Sequence, residues 1–145
     1  MQDPVKTIKD LIYAGWDLAG VLTKTKMAWC YGPPSDPTAR FKDYGFSLEF
    51  DDMTEPRRKK TLSRNRAQRI VTVDFWIKMR PDSNRETLRG YKQQFIDEVD
   101  SIVEAGERSA TGLNFIYVGN GGRNLDEIEE NVMRVQMEIV CVHQK

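Results

Sequence analysis

Apolar positions recur along the chain with two different periods, and the switches between them divide it into seven elements in the order α-β-β-β-α-β-β. Val5, Ile8, Leu11, Ile12 and Gly15 fall three or four residues apart, which predicts an amphipathic helix over residues 5–16. Asp3 supplies a side-chain acceptor for its first amides, and Pro4 stands where a missing N–H costs nothing. Residues 26–31 read as a first strand closed by Gly32-Pro33-Pro34, and a loop follows over 35–45. In the next strand Phe46, Leu48 and Phe50 alternate with Ser47, Glu49 and Asp51, so one side is expected on the core and the other in water.

The clearest strand spans residues 69–80. Val71, Val73, Phe75, Ile77 and Met79 line one side, and Thr72, Asp74, Trp76 and Lys78 the other. Pro81-Asp82 ends it, and Ser83 with Glu86 three residues later has the spacing of a capping box. Leu88, Tyr91, Phe95, Val99, Ile102 and Val103 then make the stripe of the main core helix, which stops at Gly106. A strand over 113–118, a glycine-rich turn at 119–122, an acidic stretch at 126–130 and a strand over 132–142 complete the order. In the last of these Met133, Val135, Met137, Ile139 and Cys141 alternate with Arg134, Gln136 and Glu138. One long helix between the third strand and two returning strands predicts an α+β fold: a mostly antiparallel sheet with the long central helix and the N-terminal helix packed on one face.

One segment has no usable period. Residues 57–69 hold seven cations, Arg57, Arg58, Lys59, Lys60, Arg64, Arg66 and Arg69, with no acid and a single Leu. Seven like charges repel one another and bury little, which predicts a mobile basic loop at about 53–68 within a single domain spanning 1–145. At 145 residues one core is expected, with 39% apolar and 30% charged residues. Lys plus Arg equals Asp plus Glu at 22 each, so net charge does not steer the chain to nucleic acid, and any electrostatic role falls to local patches. Cys30 and Cys141 lie far apart in apolar runs, which argues for buried thiols over a disulfide framework. The start resembles no signal peptide and no apolar run reaches membrane-spanning length, so folding in a cytoplasm is expected.

Catalytic chemistry finds no constellation. His143 is the only histidine and has no Ser or Cys motif beside it, and Glu49, Asp51 and Asp52 alternate across a strand end without converging on a metal. No cofactor is expected. Gly119-Asn120-Gly121-Gly122-Arg123 has the glycines of a phosphate turn, yet no Lys-Ser/Thr follows, and the acids after it would repel the anion. The basic arm has acidic counterparts in the chain, Glu49, Asp51 and Asp52 on one side and Asp126, Glu127, Glu129 and Glu130 on the other. In a closed ring one copy's arm would meet the next copy's acidic segment. Trp76 lies on the polar side of the best strand, which fits either a buried second face or, as we expect, a subunit interface.

The assembled pattern resembles the tail terminator and tail-completion (head-tail joining) proteins of long-tailed phages. The likeness is carried by the opening helix, by Val71-Thr72-Val73-Asp74-Phe75-Trp76-Ile77, by the helix over 84–105 and by the strands Asn114-Phe115-Ile116-Tyr117-Val118 and 131–139. It implies a non-enzymatic virion subunit, folded in the host cytoplasm, whose hexameric ring ends the tail tube and joins tail to neck. Its implied partners are other copies of itself, the tail tube protein and the neck or connector protein, with passing contact to DNA and none to membrane. The basic arm is longer than that pattern leads one to expect. A second reading makes the chain a small mixed α/β nucleic-acid-binding domain, with the arm tracking phosphates and exposed aromatics stacking on bases.

Overall fold

The computed structural model describes residues 3–31, 45–52, 60–61, 66–79, 84–106, 113–126 and 132–144. Helix α1 (Pro4–Gly15) begins where expected, with the Asp3 carboxylate accepting the Val5 N–H at 3.0 Å, and it buries Val5, Ile8 and Ile12. Two single 3₁₀ turns (Gly20–Leu22 and Lys24–Lys26) lead to strand β1 (Ala28–Tyr31). Strands β2 (Phe46–Asp52), β3 (Lys60–Thr61) and β4 (Arg66–Lys78) follow, then helix α2 (Arg85–Gly106) and strands β5 (Leu113–Asn124) and β6 (Val132–Gln144).

The strands form one sheet in the order β1-β2-β4-β6-β5, with β3 paired to β4 beyond the end of β2. Only β1 and β2 run parallel; the remaining pairings are antiparallel, so the fold is α+β with a mixed, mostly antiparallel sheet. The longest ladder joins β4 to β6 through thirteen successive residue pairs, from Arg66 opposite Gln144 to Lys78 opposite Val132.

Period-two alternation puts Leu48, Phe50, Val73, Phe75, Val135 and Met137 on one face, all but fully buried. The stripe of α2 packs there: the rings of Phe75 and Phe95 stack with centroids 4.8 Å apart, and Tyr91 meets Phe46 edge-on at 5.6 Å. α1 lies beside α2 on the same core, where Trp16, Trp29 and Phe50 continue the aromatic packing. The two helices approach closely because each offers a glycine to the other. A Cβ at Gly15 would stand 3.1 Å from Ile102, and one at Gly106 would stand 3.0 Å from Leu11.

Four expectations are corrected. The polar side of β2 does not face water, since Ser47 and Glu49 are 0% and 4% exposed. The chain from 57 to 69 is not loop throughout: Lys60 and Thr61 form β3, and β4 starts at Arg66, because β6 offers it an unbroken partner as far as Gln144. The glycine run at 119–122 is no turn but a bulged part of β5, with its register against β6 shifting on either side of Asn120. Asn84, one residue after the expected Ser83, caps α2 by accepting the Glu86 N–H at 2.9 Å. Ser83 itself, Pro81-Asp82 and the stretch 32–44 lie outside the described residues.

Candidate functional site

The second face of the sheet carries a buried polar strip. Register aligns Glu49, Asp74 and Gln136 across β2, β4 and β6, with Ser47, Trp76 and Arg134 in the adjoining row. Asp74 is only 6% exposed. Its carboxylate accepts the Arg134 Nε–H at 3.0 Å and, more weakly, the Gln136 amide at 3.4 Å. Burial pushes the Asp74 pKa above the ordinary carboxylate range. Arg134 and Gln136 oppose that shift, and the neighbouring Glu49 adds to it. The Arg134 guanidinium also lies over the Trp76 ring, 4.4 Å from its centroid, so one cation serves a carboxylate and an aromatic face together. Trp76 is thus enclosed within a single chain, at 6% exposure, and of the two accounts open for it the buried second face is the one observed.

Among the described residues the basic arm and its acidic counterparts meet in one place. Arg69 forms a salt bridge with Asp52, at the end of β4 where β2 stops. Lys60 lies in β3, and Arg66 pairs through its backbone with Gln144. Asp126 is also engaged internally: its carboxylate takes the Lys92 ammonium at 2.7 Å and the Arg134 backbone N–H at 3.0 Å, fastening the end of β5 to α2 and to β6. Asp51 has its pKa raised by burial. Arg57, Arg58, Lys59, Arg64, Glu127, Glu129 and Glu130 lie outside the described residues.

Sequence reasoning missed Arg134, Gln136 and Lys92. The first two occur at strand positions where a polar residue opposite a solvated face attracts no notice. The detectable signal was a tryptophan, an acid and an arginine sharing the side of β4 and β6 away from the helices. Among the described residues no three His, Cys, Asp or Glu side chains converge as metal ligands. No described helix is long and apolar enough to cross a membrane. Neither a protein-family model nor a curated protein matches the chain.

Proposed function

We propose that the chain is a ring-forming structural subunit of a virion tail or neck, acting by self-assembly and protein contact. The observation that carries this reading is the open sheet. Its outer described strands, β1 and β5, lie at opposite ends of the order, and each presents a large exposed aromatic, Tyr31 at 53% and Tyr117 at 39%. Outer strands at opposite ends of one sheet suit head-to-tail contact between identical copies, which closes into a ring when the rotation permits. Edge aromatics add the contact area that interfaces favour. The expected number of copies is six, and the expected neighbours are the tail tube and the neck.

Light scattering after size exclusion tests the assembly, and electron microscopy of tails tests its place. A ring of defined mass that caps isolated tubes supports the reading. A chain that stays monomeric at high concentration and is absent from particles overturns it. Reversing Arg57, Arg58, Lys59 and Lys60 should leave thermal melting unchanged and weaken joining if the arm contacts a neighbour. The nucleic-acid reading needs exposed aromatics near the basic arm on an open sheet face, and Trp76, its one named candidate, has its ring covered by Arg134. Oligonucleotide binding that falls steeply with salt would restore it.

A further inference from the structure

The opening turns of α2, the end of β4 and the region where β5 ends and β6 begins enclose a cleft of about 350 Å³. Arg85, Arg89 and Lys92 line it from the helix, and Met79, Ile96 and Met133 supply an apolar wall. The three cations do not have equal standing. Lys92 is buried to 6% exposure, with its ammonium fixed by Asn124 at 2.9 Å and Asp126 at 2.7 Å, so the one carboxylate among the described lining residues is already neutralised. Arg85 and Arg89 make no hydrogen bond or ion pair among the described residues, not even with Glu86 on the same turn.

Stability alone gives no reason for two arginines there. Four residues apart on one helix they repel each other, and at the first turns of a helix a cation opposes the macrodipole. Both effects reverse when an anion occupies the cleft. A guanidinium is a planar fork of donors that matches the two oxygens of a carboxylate or phosphate, and two such forks beside thioether and isoleucine side chains define a ligand with a charged head and an apolar body. The volume lies at the lower end of the roughly 300 to 1,000 Å³ of small-molecule sites, which sets the body at a few carbons.

We infer that this cleft binds a small organic oxyanion, a carboxylate or phosphate monoester carrying a short aliphatic chain, with Arg85 and Arg89 holding the head and Met79, Ile96 and Met133 the chain. The site is independent of the ring proposed above, and it asks nothing of the sheet edges.

The methyl groups of Met79, Ile96 and Met133 give a direct reading by NMR on the full-length protein. Hexanoate and hexyl phosphate are titrated in parallel, so that their relative strengths identify the head group, with inorganic phosphate and hexanol as half-ligands. Saturable shifts of all three methyls are expected with at least one full ligand, at affinity about tenfold or more above either half-ligand. The double substitution Arg85→Gln and Arg89→Gln, at exposed positions, is expected to weaken binding by about tenfold or more while the melting temperature stays the same or rises. Absence of saturable shifts in the unaltered protein overturns the proposal, and so does undiminished binding by the double variant. Inorganic phosphate binding as tightly as hexyl phosphate would overturn the assignment of the apolar wall.

Discussion

Phe75 of β4 and Phe95 of α2 lie face to face at 4.8 Å, their planes 22° apart and both rings at 0% exposure. This contact joins the sheet's most buried strand to the long helix, and few neighbouring side chains are free to move into a space opened there. Phe95→Ala is therefore expected to lower stability by ~3 to 5 kcal/mol, read as a shift of the denaturant midpoint at constant slope. A loss under ~1 kcal/mol would mean that Phe95 is not packed in the core.

Asp74 gives the polar strip a pH signature. Its folded-state pKa is raised, chiefly by burial, so the native state holds the proton more tightly than the unfolded chain. The contribution of this group to stability is full below the ordinary carboxylate range and is lost as pH rises through the folded pKa. Asp74→Asn keeps the shape and an acceptor for Arg134 without the charge. Unfolding measured across a pH series should show the two proteins alike in acid, with the variant gaining relative stability toward neutrality. A variant that falls behind as pH rises would show that the Arg134 pairing outweighs burial of the charge.

Cys141 offers a probe of opening. Burial pushes its thiol up to about 12, only partly offset by Arg69, and its Sγ lies 3.9 Å from the Ile139 carbonyl oxygen. Almost no thiolate exists near neutral pH. In a Cys30→Ser background, labelling by a thiol reagent should be negligible under native conditions and should rise with denaturant in step with global unfolding. Rapid native labelling would place β6 in a separately opening unit.

Gly122 sits at φ +145°, and a Cβ there would come within 2.8 Å of Ile96 Cδ1. Gly122→Ala is expected to cost ~1 to 3 kcal/mol from backbone strain together with the clash. Adding Ile96→Ala removes the clash but not the strain, so a double-mutant cycle should return a favourable coupling without restoring stability. Full additivity in thermal or chemical denaturation would show that the bulge moves away from α2.

What the sequence revealed depends on how local each cause is. The Asp3-Pro4 start of α1, the stripe of α2 and the apolar faces of β4 and β6 were legible, because each rests on spacing within one element. Alternation in β2 shows that its two sides differ, but it cannot say that the polar one meets water; Glu49 is 4% exposed and shares its row with Asp74 and Gln136, on strands far apart in sequence. Direction is equally non-local, and nothing in residues 28–31 marks β1 as parallel to β2. Gly106 reads as a helix stop, while its second role, admitting Leu11 of α1, depends on a contact across the chain. The cleft was half visible. Two arginines four apart at a helix start could have been noticed, but their neighbours Asn124, Asp126 and Met133 come from β5, β6 and the stretch between them, well separated from the helix start in sequence.

The place of β6 sets a timetable for the newborn polypeptide. It is the last of the described strands to leave the ribosome, yet it belongs between β4 and β5 and supplies thirteen partners to the former. Until it emerges, two long strands each lack a neighbour on one side, and pairing between such distant segments forms slowly. A nascent chain halted before residue 132 should therefore expose edges that attract chaperones or other unfinished copies. Translation speed over the stretch after β5 then becomes a determinant of yield.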